Sequence, residues 1–247
     1  MSDVDVIVLD LDGGAMLREC LASIEAQSVA PRNVIVFDNG SRTPTPNATA
    51  RSERNLGFAG GVNAAVRYAE APFVALINND VVLDKEWLAT VRAAMDDGTA
   101  AVQTILRDSE GGIDGAGIDI SNGTLRQTKG GGEAWGVSAT ATLYRRELLR
   151  FDERLFAYYE DVELCARLHE GGWKTKVVPE IKATHRGSQS ARHVEALYLR
   201  TRNRYWVARM HRGVGSVRAL LWEDIKLLLR GRSSLRGIIA GLCSRLS

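Results

Sequence analysis

Short apolar strand signals alternate with helix signals through the first half of the chain, and this alternation constrains the fold more than any other feature. Strands are predicted at 4–9, 33–37, 73–78 and 100–106, and the segments between them carry apolar residues at helical spacing. Strands that alternate with helices of about 10–15 residues indicate βαβ units. We therefore predict an α/β, Rossmann-like fold with a mostly parallel central sheet flanked by helices.

Three of these strands are followed by an aspartate: Asp10, Asp38 and Asp80. Ligands of open parallel sheets bind at the carboxyl ends of the strands. Each aspartate also has an ordinary structural explanation, since Asp-Asn-Gly forms turns and an aspartate before a helix can cap it. Asp84 stands closer than Asp80 to the start of the next apolar periodicity. This leaves Asp80 available for a divalent cation whose other oxygens come from a diphosphate.

Composition excludes several classes of protein. The 247 residues are 45% hydrophobic and 25% charged, which is typical of one large globular domain, alone or with a short helical appendix. No run of 18 apolar residues occurs, and no basic region precedes the first apolar stretch, so we expect neither a spanning helix nor a secretory signal. The three scattered cysteines lack a CxxC pair, which predicts reduced thiols and a cytoplasmic location.

The carboxyl end is strongly basic. Residues 186–247 carry 13 Lys and Arg against 3 Asp and Glu, whereas the other 185 residues carry 19 against 27. The segment is typical of helices, and one of them would have an apolar face beside basic residues. Such a helix lies on an anionic membrane surface, or it packs on the catalytic part or on a second copy in a homodimer. The apolar positions are Leu220, Leu221, Trp222, Ile225, Leu228 and Leu229, and the basic ones are Arg218, Lys226, Arg230, Arg232 and Arg236.

Two acids stand in the first turn of a predicted helix in the block 151–173. Apolar residues at 162, 165, 166 and 168 give that helix a buried face, which places Glu160 and Asp161 at its start. Backbone N–H groups and the helix dipole favour an ionised carboxylate there, as a general base requires, although the same acids could simply cap the helix. His185 follows a predicted strand at 181–185. It is either a packed histidine or, as a neutral imidazole, a partner of Asp80 in a divalent cation site.

A glycine-rich segment, NLGFAGGVN at 55–63, precedes another predicted helix. Its glycines would let the backbone approach a ligand, and the amino-terminus of the helix could face phosphate oxygens. The segment lacks the spacing and the preceding strand of a dinucleotide fingerprint, which argues against a nicotinamide or flavin enzyme.

Six motifs in this order resemble the family 2 glycosyltransferases, particularly their rhamnosyltransferase-like branch, over most of residues 4–190. The resemblance implies a GT-A fold, a nucleotide-sugar donor carrying dTDP or UDP, a Mg²⁺ or Mn²⁺ ion, and inversion at the anomeric carbon. The motifs are CLASIEAQ at 20–27, VFDNGS at 36–41, NLGFAGGVN at 55–63, INNDVV at 77–82, FDERLFAYYEDVELCARL at 151–168 and HRGSQS at 185–190.

Carried over residue by residue, the resemblance implies roles for particular side chains. Asp161 matches the catalytic base, and Glu160 beside it would hold the acceptor. Asp80 matches the last carboxylate of the family's metal-binding triplet, and His185 a later histidine near the metal. The sugar and acceptor pocket would be lined by 135–139, which includes Trp135, Ser138 and Ala139. The nucleotide site would comprise Leu9, Asp10, Asp38, Asn55, Gly57, Asn63 and Asn79.

The chain departs from the family pattern in two places. The first strand ends in Asp10-Leu11-Asp12, where Asn-Tyr-Asn is usual, and the triplet before the third predicted helix has a single acid. We divide the chain into a catalytic domain at 1–189 and a helical basic extension at 190–247. Within the catalytic domain, 1–106 would bind the nucleotide and 134–189 the acceptor.

The predicted activity is transfer of rhamnose, or of another hexose or deoxysugar, to a hydroxyl of a glycan, a lipid-linked sugar or a small molecule in cell-surface polysaccharide or glycoconjugate assembly. A membrane-bound tail would place the protein on the inner face of the cell membrane. A sugar nucleotidyltransferase would need a glycine-rich basic loop after the first strand, which DLDGGAMLREC does not supply. A non-catalytic nucleotide-sugar-binding scaffold would not need Glu160, Asp161, Asp80 and His185 together. No recognised nucleic-acid motif is present.

Overall fold

A computed structural model describes residues 2–121, 124–127, 132–187, 194–211, 214, 216–228 and 233–243. The strands are β1 (Val4–Asp10), β2 (Asn33–Asp38), β3 (Ala50–Arg51), β4 (Phe73–Asn78), β5 (Val81–Leu83), β6 (Thr99–Arg107), β7 (Ile113–Gly115), β8 (Ile118–Ser121), β9 (Thr124–Gln127), β10 (Gly132–Glu133), β11 (Ala141–Arg145) and β12 (Lys174–His185). The helices are α1 (Gly14–Glu25), α2 (Gly57–Val66), α3 (Trp87–Ala93), α4 (Glu160–Glu170), α5 (Val194–Met210), α6 (Val217–Leu228) and α7 (Leu235–Cys243).

The central sheet is mixed. Its main path runs β10-β12-β6-β11-β4-β1-β2-β3, with β5 paired to β12 and β7 to β6. The pairs β1–β2, β1–β4, β2–β3 and β6–β12 are parallel, as predicted, whereas β11 is antiparallel to both of its neighbours. The chain enters β11 at the sheet edge where β4 ends, because Ala141 pairs with Ile77. The predicted α/β fold with a central sheet is confirmed, with this antiparallel strand inserted.

Helices cover both faces of the sheet. Side chains of a strand alternate between its two faces, and in β1 Ile7 joins one core cluster while Val6 and Val8 join the other. Helices α2 and α4 contribute to the first cluster, and α1 and α3 to the second. A strand that is buried on both faces has no polar alternation, which explains the continuous apolar run of β1.

The motif CLASIEAQ serves the packing of α1. The Gln27 side chain donates to the carbonyls of Ser23 (3.0 Å) and Asp84 (2.8 Å) and accepts from the Leu88 N–H (2.9 Å). It therefore ties the end of α1 to the start of α3. Asp84 also accepts from the Glu86 N–H, so Asp84 rather than Asp80 organises the approach to α3.

Two boundaries differ from those that the sequence pattern predicts. The apolar pattern at 135–144 predicts a strand, but β11 begins only at Ala141, because Ser138 N–H donates to the Gln103 side chain instead of to a neighbouring strand. The apolar spacing predicts a helix from Val62, whereas α2 begins at Gly57. The polar stretch 107–133, for which the pattern predicts a hairpin or a mobile loop, contains the hairpin of β8 and β9.

The carboxyl-terminal helices pack on the rest of the chain and on one another. Val207 of α5 lies in a cluster with Leu155 and Val162. Leu220 of α6 and Ile238 of α7 pack together with α5. Within the described residues, no helix is both long and apolar enough to cross a membrane. Of the predicted tail residues, Leu229, Arg230 and Arg232 lie outside the described part.

Candidate functional site

The strand-end residues meet at one edge of the sheet. Asp10 of β1 pairs in register with Asp38 of β2, and Leu9 pairs with Asn78 of β4. Asn78 N–H donates to the Thr140 carbonyl at 2.9 Å, so the segment that leads into β11 passes the same edge. Asp10, Asp38 and the residues that follow β4 thus lie at neighbouring strand ends, whereas the predicted residues Glu160 and Asp161 begin α4.

Asp38 is engaged by its own loop. The carboxylate is fully buried and accepts from the N–H groups of Ser41 (2.8 Å) and Thr45 (3.0 Å) and from the Arg51 guanidinium (3.0 Å). Burial alone would raise the pKa of Asp38, but these hydrogen bonds and the Arg51 charge outweigh it and lower the pKa. Asp38 therefore shapes the loop 41–51, and its contact with a nucleoside stays a prediction.

Asp10 links the ends of β1 and β4. Its carboxylate accepts from the Gly13 N–H (3.1 Å), the Asn79 amide (2.7 Å) and the Thr45 hydroxyl (2.5 Å). A Cβ at Gly13 would lie 2.3 Å from Asp10 Oδ1, which explains why the DLDGG turn requires a glycine there. Asp10 and Asn79 form one hydrogen-bonded unit at the predicted nucleotide site.

The glycine-rich segment packs against the loop that precedes α4. Gly57 has φ +76°, and a Cβ there would lie 2.5 Å from the Phe156 carbonyl oxygen. Ala59 N–H donates to that same carbonyl at 3.1 Å, so the amino-terminus of α2 meets Phe156 rather than open space for phosphate. Asn55 Oδ1 accepts from the Gly57 N–H at 2.8 Å and so stabilises this turn.

Asn63 fastens α2 to the segment that precedes α4. Its amide donates to the Phe151 carbonyl (2.9 Å) and to Glu153 (3.0 Å), and its carbonyl accepts from the Phe151 N–H (2.9 Å). The motif NLGFAGGVN therefore holds the segment 151–156 in place by hydrogen bonds. Its predicted contact with a nucleotide diphosphate stays a prediction.

Asp80 and His185 form a buried pair at the end of β4. His185 Nε2 lies 3.2 Å from Asp80 Oδ2, and His185 Nδ1 lies 2.7 Å from Asp114 Oδ2. Burial lowers the pKa of His185, but hydrogen bonds and charge from Asp80 and Asp114 outweigh it and raise the pKa to about 9. These carboxylates therefore favour the protonated imidazole at neutral pH, whereas the predicted neutral ring belongs to a metal-bound site.

The residues present fit a divalent cation. Asp80 Oδ1 is buried and has no hydrogen-bond partner, and the buried His185 Nε2 faces the other oxygen of Asp80 as an ion pair. A carboxylate and an imidazole suit Mn²⁺ or Mg²⁺ when a diphosphate supplies further oxygens, and binding would release the imidazole proton. The described residues contain no group of three or more His, Cys, Asp and Glu side chains able to hold an ion. The pair alone would make an incomplete site.

Glu160 and Asp161 begin α4, as predicted. Desolvation raises the pKa of both carboxyl groups, against the effect expected from the helix terminus. Glu160 is 7% exposed, and burial together with the Asp161 charge raises its pKa to about 8. Burial also raises the pKa of Asp161, although N–H groups of Val162 and Ala139 oppose the shift. These two N–H groups favour the charged form of Asp161, whereas Glu160 Oε2 has no partner. Glu160, with a pKa of about 8, therefore favours its protonated form at neutral pH, and the hydrogen bonds favour the charge on Asp161.

The predicted pocket segment lies against these acids. Ala139 N–H hydrogen-bonds the Asp161 carboxylate, and Ser138 N–H donates to Gln103 Oε1 at 2.6 Å. The Trp135 carbonyl contacts the His169 ring of α4. The rings of Trp135 and His169 also lie against each other, with centroids 5.4 Å apart and a tilt of 32°. The structure thus joins the segment 135–139 to α4 at both ends.

Sequence reasoning missed two residues at this site, Asp114 and Asn203. Asp114 orients His185, and Asn203 of α5 donates to carbonyls of the loop before α4. Asp114 stands in a polar stretch with many similar residues, and Asn203 is in a helix predicted as an appendix. Neither position carries a local pattern that reveals a distant partner.

Solved glycosyltransferases share this fold. A mannosyltransferase from Pyrobaculum calidifontis, in complex with GDP-Man and Mn²⁺, superposes with a TM-score of 0.65 at 16% identity, covering 95% of this chain and 77% of that one. Staphylococcus aureus TarS 1–349, in complex with UDP, superposes with a TM-score of 0.59 at 20% identity, covering 98% and 75%. The fold is that of the GT-A glycosyltransferases, as predicted.

Sequence comparison identifies the family. The sequence profile of glycosyl transferase family 2 matches residues 6–151, more than half of the chain. An N-acetylglucosaminyl-diphospho-decaprenol L-rhamnosyltransferase from Mycobacterium tuberculosis is 25% identical, with 96% of this chain and 92% of that protein covered. The chain belongs to glycosyl transferase family 2, and the protein is a glycosyltransferase.

Proposed function

We propose that this glycosyltransferase inverts the anomeric carbon and moves rhamnose, or another hexose or deoxysugar, from a dTDP- or UDP-sugar to a hydroxyl acceptor. The observation that carries the proposal is the pair of acids at the start of α4, in which two backbone N–H groups hold the half-buried Asp161 and burial raises the pKa of Glu160 to about 8. A raised pKa makes Asp161 a stronger base than an ordinary carboxylate, while its hydrogen bonds keep it ionised.

In the proposed reaction, an acceptor hydroxyl attacks the anomeric carbon as the bond from that carbon to the diphosphate oxygen breaks. Asp161 takes the hydroxyl proton, and the nucleoside diphosphate leaves with the bonding electrons. Glu160, as a neutral acid with a free oxygen, can donate a hydrogen bond to a substrate oxygen. The Ala139 N–H bond to Asp161 fixes the base toward the segment 135–139, which would contact the sugar and the acceptor.

Asp80 and His185 would hold a Mg²⁺ or Mn²⁺ ion on the donor diphosphate. When bound, the ion would neutralise the negative charge that develops on the leaving diphosphate. Asp114 holds the other ring nitrogen of His185, so the imidazole keeps Nε2 directed at Asp80. The unpartnered Asp80 Oδ1 supports this assignment.

The relative's name suggests the first substrates to test. It transfers L-rhamnose to an N-acetylglucosaminyl diphospho-lipid. We propose dTDP-rhamnose and a polyprenyl-diphosphate-linked sugar as the first donor and acceptor pair, in assembly of a cell-surface polysaccharide or glycoconjugate.

Calorimetric titration with dTDP, UDP and GDP, each with and without Mn²⁺, tests the donor site. We expect metal-dependent binding of dTDP or UDP, with at least about tenfold weaker binding in Asp80→Asn, because the metal loses a carboxylate ligand. Absence of binding to all three nucleotides would favour the scaffold alternative.

Turnover of Asp161→Asn tests the base. We expect kcat to fall by at least about 100-fold, since general base catalysis contributes about that much or more, while the Kd for the nucleotide stays within about twofold. Glu170→Gln, at the other end of α4, is the matched control and should keep near-normal turnover. Normal turnover in Asp161→Asn would remove the proposed base.

An exposed surface of α6 supports a membrane-bound acceptor. Trp222 and Ile225 are 66% and 55% exposed, and exposed Arg218 and Lys226 lie on the same stripe of the helix. Apolar side chains between cations suit an anionic bilayer surface. We propose that this stripe contacts the inner face of the cell membrane. A homodimer through the same stripe is the alternative.

A further inference from the structure

The loop that precedes Glu160 and Asp161 has an unfavourable backbone conformation. Phe156, Tyr158 and Tyr159 have φ values of 65°, 68° and 69°. Side chains of this size rarely adopt the left-handed region, so surrounding groups must hold the loop. Tyr159 is the residue from which α4 begins, and its carbonyl accepts from the Glu163 N–H at 2.9 Å. The loop therefore sets the position of the first turn of α4.

Asn203 of α5 holds one side of this loop. Its side-chain nitrogen donates to the carbonyls of Leu155 (2.9 Å), Ala157 (2.9 Å) and Tyr158 (2.7 Å). The residue is fully buried, and its carbonyl oxygen accepts from Arg202 Nε at 2.8 Å. Because a guanidinium can only donate, this last contact fixes the amide with its nitrogen toward the loop.

Helix α2 holds the other side. Ala59 N–H donates to the Phe156 carbonyl, and the backbone of Gly57 lies so close to it that a side chain would not fit. The loop is thus enclosed between a helix from the nucleotide-binding part and a helix from the basic carboxyl-terminal segment. Of these three carbonyls, only that of Leu155 also accepts from Arg202. Removal of the Asn203 amide would therefore leave the carbonyls of Ala157 and Tyr158 without any other side-chain donor that the structure describes.

We infer that Asn203 is a positioning residue for Asp161, an inference that rests on the proposed role of Asp161 as the base. Asn203 contacts the loop backbone rather than the reacting groups. It holds the carbonyls of 155–158 in place, and the loop in turn fixes the first turn of α4. A displacement of the base by about 1 Å can lower a rate by about 100-fold. The carboxyl-terminal segment would thus complete the catalytic site.

Asn203→Ala tests this inference in the whole chain, with Thr201→Val as the matched control. Thr201 is buried on the same helix, but its hydroxyl contacts the Leu197 carbonyl and the Ser234 N–H rather than the loop. With dTDP-rhamnose, Mn²⁺ and an N-acetylglucosaminyl diphospho-lipid, we expect kcat of Asn203→Ala to fall about 10- to 100-fold while the Kd for dTDP changes less than about twofold. Thr201→Val should keep kcat within about threefold at a similar loss of Tm.

The double variant Asp161→Asn/Asn203→Ala separates positioning from general damage. If Asn203 acts through Asp161, its loss should reduce single-turnover rates no further once Asp161 is gone. Additive losses would overturn the inference. Normal turnover in Asp161→Asn would refute the proposed base, whereas a slow Asp161→Asn with a normal Asn203→Ala would refute only the positioning role.

Arg202→Ala provides a second test of the positioning role if Asn203→Ala does not fold. Arg202 is partly exposed, orients the Asn203 amide and donates to the carbonyls of Arg154 and Leu155 at 3.1 Å. Its loss should lower kcat by about three- to tenfold with dTDP affinity unchanged, since the loop is loosened but not released. An unchanged kcat in a folded Arg202→Ala would count against the inference.

Discussion

At the residue scale, two adjacent acids differ because their hydrogen-bond partners differ. Glu160 is buried and Asp161 is half-buried, and desolvation raises the pKa of each. Asp161 receives N–H groups from Val162 and Ala139, whereas one oxygen of Glu160 has no partner. These hydrogen bonds favour the negative charge on Asp161 over Glu160, a difference that the helix terminus alone would not produce.

Glu160→Gln should be tolerated at neutral pH. The pKa of Glu160 is about 8, so the native side chain is protonated at pH 7, and glutamine reproduces a neutral group that can donate a hydrogen bond. We expect kcat at pH 7 to stay within about fivefold of the native value, against a loss of at least about 100-fold for Asp161→Asn. Steady-state kinetics at pH 7 would decide, and equal losses in the two variants would assign the base to Glu160.

At the scale of elements, α4 is joined to the end of α5 by a buried ion-pair cluster. His211 Nδ1 lies 2.8 Å from Glu170, and His211 Nε2 lies 3.3 Å from Glu163. Arg167 also pairs with Glu163 at 2.7 Å. The hydrogen bond that His211 donates to Glu163 raises the pKa of His211, and the contact with Glu170 raises it further. Burial opposes this rise but does not cancel it. The helix that carries the acids is thus held by α5 at both of its ends.

This cluster predicts a pH-dependent contribution to stability. The folded pKa of His211 lies above its ordinary 6.5, so its contribution is fully present below pH 6.5 and is lost as pH rises through the folded pKa. Glu163 has a lowered pKa and stays ionised over this range. His211→Gln should lower Tm by about 3 °C at pH 6, for on the order of 1 kcal/mol, and by less at pH 9.

Thermal unfolding of the native protein and of His211→Gln between pH 6 and pH 9 measures this difference in Tm. Groups that titrate equally in the two proteins cancel when the Tm values are subtracted. A constant difference across the range would show that the imidazole charge contributes nothing.

At the scale of the whole molecule, the basic segment has two kinds of surface. One surface packs inward, through Val207 and Leu220, onto the catalytic part and onto the neighbouring helices. The other exposes Trp222 and Ile225, and on α7 Leu235 and Ile239 at 60% and 55% exposure. The two predicted roles of the tail, packing and membrane contact, are therefore compatible.

Trp222→Ser/Ile225→Ser should reduce binding to anionic vesicles. Each exposed apolar side chain that enters the bilayer interface contributes in proportion to its buried area, so we expect at least about a tenfold loss in co-sedimentation with phosphatidylglycerol vesicles. Tyr68→Ser is the matched control, because Tyr68 is 49% exposed outside the tail. Unchanged vesicle binding together with a shift from dimer to monomer would favour the homodimer.

The sequence by itself determined the strand–helix alternation, the family and the start of α4. Local patterns suffice for these features: apolar runs such as β1, the polar strand ends, and apolar positions at 162, 165, 166 and 168 that place Glu160 and Asp161 in a first turn. The strands and the start of α4 each depend on residues within about ten positions of one another, which is the range over which periodicity and capping act. The family depends on six such short motifs in a fixed order.

Tertiary structure alone decided which partner each of these residues meets. It inserted β11 antiparallel into the sheet and set Gly57 against Phe156. It also brought Asp114 to His185 and Asn203 to the loop before α4. These contacts join residues 45 or more positions apart, and a carboxylate or an amide has the same local pattern whether its partner is water or a distant carbonyl. The charge states of Asp161 and Glu160 also depend on burial, which only the folded chain creates.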